Sequence, residues 1–155
     1  MKEILERLEE TFGERVTVSE SLGQTVVELP AAEIVSVVTF LKSQGFSMLI
    51  DLTAVDRLGR EPRFDVVYHL YHLEQKDWLR LKVQAGGEEP TVPSIAHVYA
   101  SANAAERECY DMFGIRFRGH PDLRRILMPD DWQGHPLRKD YPLTGLNPMP
   151  PLVRE

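Results

Sequence analysis

The last 35 residues constrain this chain most, because they hold seven of its eleven prolines. Proline lacks the N–H that helices and sheets require, and its ring clashes with a preceding helical turn, so long regular structure is excluded there. The segment is not a solvated linker either. It carries Ile126, Leu127, Met128, Trp132, Leu137, Tyr141, Leu143 and Leu146, and disordered segments are poor in such residues. An apolar, proline-stiffened arm needs a surface to lie on, either its own domain or another subunit. A stiff segment loses less entropy on docking, which favours the second choice.

The remainder is long enough for one domain with a real core. The single cysteine, Cys109, excludes an internal disulfide and any cluster or zinc site built from cysteines of this chain alone. No stretch reaches the roughly 20 apolar residues of a membrane span. Acids follow the initial methionine where a signal peptide has its apolar core, so the chain is expected to stay in the cytoplasm. The net charge of -6 argues against nucleic acid as a partner. Its distribution is uneven: residues 1 to 33 carry eight acids and three bases, whereas residues 116 to 141 carry six bases and four acids.

Ile4, Leu5, Leu8 and Phe12 recur at helical spacing, which predicts an amphipathic helix over 2–12 stopped by Gly13. Two β-rich runs, 15–19 and 24–29, flank Gly23 and predict a hairpin. A second helix is expected to start at Pro30, bury Ile34, Val35, Val37, Val38 and Leu41, and end at Gly45. Strand-like runs at 47–55, 63–73 and 78–84 predict an antiparallel meander, and Pro93-Ser94 a helical turn through Val98. The fold class is therefore α+β: a mostly antiparallel sheet with helices on one face, followed by an extended proline-rich C-terminal arm. The expected division is a domain over 1–117 and an arm over 118–155.

The segment 106–114, ERECYDMFG, concentrates reactive side chains. Asn103 is a good N-cap with Glu106 three residues on, and Gly114 is a natural terminator, so a helix over about 104–113 is expected. At 100° per residue, Ala102, Ala105, Cys109, Met112 and Phe113 share an arc of about 100°, the buried face. Glu106 and Glu108 flank it about 160° apart and cannot serve one substrate as an acid–base pair. Arg107 and Asp111 fall on the outer face at i,i+4, close enough to pair there, although with Arg first the order is the weaker one. Cys109 sits mid-arc as a small hydrophobe. Charges on three sides suit either a solvated helix or one facing another protein.

Other constellations are weaker. His69 and His72 point to opposite faces of a strand. Gly119-His120-Pro121 is echoed by Gly134-His135-Pro136, yet two histidines without a third ligand at metal spacing are weak evidence for zinc. Asp51, Asp56, Asp130 and Asp131 lack the spacing of a cation loop. There is no phosphate-binding loop, dinucleotide fingerprint or nucleophile elbow.

The segment "ERECYDMFGIRFRGHPDLRRIL", followed by "MPDDWQGHPLRKDYPL", resembles the 30-kilodalton subunit family, the C subunits, of proton-translocating NADH:quinone oxidoreductase, respiratory complex I. Glu106, Arg107, Glu108, Asp111, His120, Arg124, Arg125, His135, Arg138, Lys139, Asp140 and Tyr141 carry the resemblance, which spans roughly residues 30 to 144. Ala104 stands where the family often has an aromatic. The resemblance implies a non-redox structural subunit of the peripheral arm, on the cytoplasmic side of the cell membrane. It implies docking on the hydrogenase-like quinone-site subunit and on neighbouring iron–sulfur subunits, with those residues and Arg118 at helix and arm contacts. FMN, iron–sulfur clusters, NADH and quinone would belong to other subunits, with none bound by this chain. Equivalent subunits occur in membrane-bound hydrogenases and in ferredoxin- or cofactor F420-dependent complexes, and these stand as the alternative. A stand-alone metal hydrolase using His120, His135 and an aspartate is the third reading.

Overall fold

The computed structural model describes residues 1–146; the last nine residues of the expected arm lie outside the described residues. Helix α1 (Lys2–Phe12) buries Ile4, Leu8 and Phe12, one residue per turn. Gly13 at φ 55 ends it. Strands β1 (Thr17–Ser21) and β2 (Gln24–Leu29) form the expected antiparallel hairpin. Pro30 is extended, and a single 3-10 turn over Ala31–Glu33 precedes α2 (Ile34–Ser43), so the second α-helix begins four residues later than the proline suggests. Ile34, Val37, Val38 and Leu41 are completely buried.

Strands β3 (Met48–Asp56), β4 (Phe64–His72) and β5 (Asp77–Ala85) make the antiparallel meander. The five strands are ordered β1-β2-β5-β4-β3, and the β2–β5 pair is parallel. Alternate residues of the central strands (Phe64, Val66, Tyr68 and Leu70; Leu79, Leu81 and Val83) join the helices in one core. The opposite sheet face carries Asp51, His69, Arg80 and Lys82, tied by Arg80 to His69 and Gln24 and by Lys82 to Glu28.

Helix α3 (Ala102–Phe113) and the turn before it cover the free edge of β3. The Tyr99 hydroxyl donates to the Phe46 carbonyl at 2.7 Å, the Ser101 hydroxyl to Leu49 at 3.1 Å, and the Cys109 thiol sits 3.9 Å from the Leu52 carbonyl. A helix laid along an edge strand in this way hinders its pairing with another chain. Before and after α3 the chain returns to pair with itself as β6 (Thr91–Pro93) and β7 (Arg116–Arg118), a short parallel ladder. Three-residue strands are too short to show alternation, so neither was foreseen. Beyond Arg118 the described residues contain no helix or strand, as their prolines require.

Candidate functional site

Helix α3 is longer at its start than Asn103 would make it. It begins at Ala102 with Ser101 in the N-cap position and no side-chain cap. Asn103 is inside the helix, and Glu106 does not reach back to close a capping box. Its carboxylate is completely buried. It accepts from the Ser94 hydroxyl at 2.6 Å and the Ile95 N–H at 2.7 Å. The turn after β6 thus claims the glutamate first. Burial pushes the Glu106 carboxyl up, partly offset by the hydrogen bonds from Ser94 and Ile95.

The outer face of α3 is not outer. Asp111 is as buried as Glu106, and its i,i+4 neighbour Arg107 bonds elsewhere. Asp111 Oδ1 accepts from Arg125 Nη1 at 2.6 Å. Its Oδ2 accepts three consecutive backbone N–H groups, Ile126 at 3.1 Å, Leu127 at 2.8 Å and Met128 at 2.9 Å. Burial alone would raise this carboxyl. The N–H of Met128, the Arg125 guanidinium and the other two N–H groups outweigh it and hold Asp111 below the usual carboxylate range. Arg107 donates to the carbonyls of Arg124 at 3.1 Å and Arg125 at 2.9 Å. Arg125 continues outward to the carbonyls of Trp132 and Gly134, at 2.8 and 3.0 Å.

Every α-helix leaves its last carbonyls without intrahelical partners. In α3 the arm supplies them. His135 Nδ1 donates to the Asp111 carbonyl at 2.9 Å, the Leu137 N–H to Met112 at 3.1 Å, and Arg138 Nε to Phe113 at 2.6 Å. Gly114 takes the left-handed conformation at φ 73 and closes the end with its own N–H on Tyr110. The Arg138 guanidinium also lies over the Phe64 ring, 5.4 Å from its centre. Burial lowers both the His135 and the Arg138 pKa.

A second fastening lies at the end of the β3–β4 loop. Arg63 binds Asp56 through Nε and Nη2, at 2.8 and 2.7 Å, and Asp140 through Nη1 and Nη2, at 3.0 and 2.6 Å. The Lys139 N–H completes Asp56 at 2.8 Å. Asp56 and Asp140 are both held below the ordinary range, chiefly by the Arg63 hydrogen bonds. Sequence reasoning passed over Arg63 and took Asp56 for a weak cation candidate. Their nearness across one short loop was the only available signal.

The remaining predicted residues divide clearly. His120 Nε2 donates to the Asn103 carbonyl at 2.9 Å and Nδ1 accepts the Asp122 N–H at 3.0 Å, the pattern of the Nε2–H tautomer. It stands 4.0 Å from Glu106. His120 and His135 therefore fasten different parts of α3. Among the described residues no three His, Cys, Asp or Glu side chains come together to hold a metal. Glu108 is exposed, Arg124 pairs with Asp122 at 2.7 Å in solvent, and the Lys139 and Asp140 side chains are at the surface. Arg118 is exposed on β7 and meets no arm residue through its side chain in the hydrogen bonds described. The Tyr141 hydroxyl donates to the Gln133 carbonyl at 3.3 Å.

Of the two surfaces open to the arm, its own domain takes much of residues 120–141: His120, Arg125, His135, Arg138 and Asp140 bond to α3 and Arg63, and the Lys139 N–H to Asp56. The arm's apolar side chains divide: Leu123 and Met128 pack against the core, whereas Ile126, Leu127, Leu137, Leu143 and Leu146 are exposed, Leu143 completely. An open groove of about 780 Å3 near the β3–β4 loop offers little chemistry, since its Arg15, Arg57 and Lys82 are paired with Glu33, Asp65 and Glu28.

The family model described as respiratory-chain NADH dehydrogenase, 30 Kd subunit, matches residues 27–147. The C subunit of NADH-quinone oxidoreductase from Geotalea uraniireducens is 48% identical over 141 residues, 90% of this chain and 86% of that protein. Its counterpart from Geobacter metallireducens is 49% identical over 144 residues, 90% and 88% of the two chains. Among solved structures, the trypsin-resistant fragment of Nqo5 superposes with a TM-score of 0.69 at 36% identity, covering 77% of this chain and 99% of the fragment. A chain of an archaeal membrane-bound sulfane sulfur reductase shares the fold, with a TM-score of 0.80 at 24% identity over 92% of this chain and 85% of that one.

Proposed function

Because the chain belongs to the 30-kilodalton subunit family of the respiratory-chain NADH dehydrogenase, we propose that it is a non-redox structural subunit of a proton-translocating NADH:quinone oxidoreductase. Its work is positional. It holds the hydrogenase-like quinone-site subunit and neighbouring iron–sulfur subunits in the geometry that electron transfer from NADH to quinone requires. The chain sits peripherally, on the cytoplasmic side of the membrane; no helix among its described residues is long and apolar enough to cross one.

The arm carries this reading. Arg125, His135 and Arg138 turn inward to α3, while Ile126, Leu127, Leu137, Leu143 and Leu146 are presented to solvent on a proline-stiffened frame. A frame ordered before docking costs less entropy on association, and exposed apolar rows of this kind mark protein interfaces. The absence of redox work in this chain rests on chemistry: its one thiol, Cys109, lies in the core with its pKa raised by burial, and a cluster needs several thiolates. FMN, clusters, NADH and quinone are then the business of other subunits.

The test is a tagged full chain at native expression, purified with its complex in mild detergent and analysed by mass spectrometry. The pair Leu127→Glu and Leu137→Glu is expected to leave the fold intact and strip the chain from the complex, with NADH:quinone activity falling in step with the intact complex remaining. Normal assembly with slow turnover would overturn the structural role.

A further inference from the structure

Outside the arm, apolar exposure is concentrated at one end of the sheet. Met48, Tyr71 and Trp78 stand opposite one another across β3, β4 and β5, on the face away from the helices. The Tyr71 and Trp78 rings lie 4.9 Å apart, centre to centre. The bulge between Leu49 and Asp51 turns Ile50 outward beside them. Leu73 follows β4 at the same end, and the pairing of Thr25 with Leu79 brings the β1–β2 turn, with Leu22, to that end too. Trp78 is 47% exposed, Leu73 56% and Leu22 97%. Single exposed apolar residues need no cause, but a group containing Trp and Tyr has the composition of an interface. Leu22 adds a backbone argument. It sits at φ 53, a left-handed conformation that a leucine rarely adopts, and at 97% exposure it packs against nothing in return.

We propose that this end of the open sheet face is a second docking surface, occupied by an apolar segment flanked by lysine or arginine on a neighbouring subunit of the same complex. The charge around the patch selects that occupant. Glu20, Asp51 and Glu74 are exposed beside it against the exposed Lys76, which leaves the rim acidic on balance, whereas Arg80 is turned onto His69 and Gln24, and the amino terminus onto Gln75 and Asp77. A second copy of the chain would bring like-charged rims together, and an anionic lipid surface would meet the same carboxylates. The patch lies at the far end of β4 from Phe64, whose ring the arm covers with Arg138 next to Leu137, roughly 25 Å away by strand rise. Two anchors at opposite ends of one rigid sheet hold a subunit's orientation as well as its position, and the second binding event is intramolecular. This inference rests on the chain being a subunit of the complex.

The test places a photo-crosslinker in the full chain within the intact complex, as Trp78→p-benzoylphenylalanine and, separately, Leu137→p-benzoylphenylalanine. Position 78 is expected to capture an identified subunit of the complex through a peptide combining apolar residues with Lys or Arg. Capture at 137 with nothing, lipid or a second copy at 78 overturns the second surface and leaves the arm reading standing. Capture at neither position, with the chain absent from the complex, overturns both. A companion variant, Trp78→Glu, is expected to cut retention of the chain through detergent washes roughly tenfold or more, as loss of a buried aromatic anchor does, with the circular dichroism of the free chain unchanged. Full retention of that variant also overturns the proposal.

Discussion

Arg125 reaches Asp111 at 2.6 Å from fourteen positions further along the chain, and the aspartate it meets has no exposure. With the N–H groups of Ile126, Leu127 and Met128 on the other oxygen, one helical carboxylate organises the start of the arm. The arm in return supplies the partners that the last carbonyls of α3 lack. Helix and arm are therefore one cooperative unit.

Replacing Asp111 should release that unit. Asp111→Ala deprives the largely buried Arg125 guanidinium of its counter-ion and leaves three N–H groups without their acceptor, a change that costs about 3–5 kcal/mol when one side of a buried ion pair is removed. Asp111→Asn should cost nearly as much, because its amide presents donors to donors. Hydrogen exchange at Ile126, Leu127 and Met128 checks this: their amides should exchange far faster while those of β4 keep their protection relative to global stability. Unchanged protection at all three would mean that the arm is held by something else.

Acid should act through the same carboxylates. Asp111 and Asp56 both have folded pKa values below their unfolded ones. The stability they contribute is therefore fully present above the unfolded value of about 3.9 and is lost as pH falls from there through the folded values. Melting temperature measured from pH 7 down to pH 3 should decline steeply at the acid end, and Asp111→Asn should flatten part of that decline. An equally steep decline in the variant would remove Asp111 from the explanation.

Glu106 should show the opposite sign. Its folded pKa lies above its unfolded one, so at pH values between the two the native state binds a proton that the unfolded state has released. Stability then falls as pH rises from the unfolded value of about 4.3 through the raised folded value. Glu106→Gln keeps an acceptor for the Ile95 N–H and a partner for the Ser94 hydroxyl while removing the charge. It should be neutral or stabilising by about 1 kcal/mol at pH 7, whereas Glu106→Ala should cost about 2–4 kcal/mol through unpaired groups and a cavity. Chemical denaturation at two pH values separates the two variants, and equal losses for both would contradict the buried-charge account.

The contrast between these two acids also marks what the sequence could reveal. Wherever one face of an element meets the core, periodicity was enough: α1 spans the expected 2–12, and β3 to β5 begin and end within one residue of the expected strands. The same helical wheel put Asp111 on the outer face, away from the core, because a wheel describes one neighbour and α3 has two. The second neighbour arrives from residues 124–138, whose prolines declare stiffness and say nothing about where they lie. Asn103 and Glu106 matched a capping box, yet Ser94 and Ile95 compete for the same carboxylate from outside the helix. The parallel pairing of β2 with β5 was likewise hidden, since a register between strands so far apart in the chain leaves no local trace.

Gly114 tests whether the arm is packed against α3 or merely tied to it. Two separate costs attend a side chain at this position. The first is conformational: φ is 73, where an alanine pays about 1–2 kcal/mol and an asparagine much less. The second is steric: a Cβ would stand 2.6 Å from His135 Cδ2 and 2.7 Å from Arg138 Nη2, the two side chains that close the carbonyls of Asp111 and Phe113. Gly114→Ala incurs both costs and should lose about 2–4 kcal/mol. Gly114→Asn relieves the first and keeps the second, so it should remain clearly destabilised, with early proteolytic cleavage in the 130s as His135 and Arg138 are pushed off. Thermal melts and limited proteolysis of both variants decide between the terms. Should Gly114→Asn melt like the parent, the conformational term is the whole effect, and the arm leaves room at the helix end that the close approach of His135 and Arg138 denies.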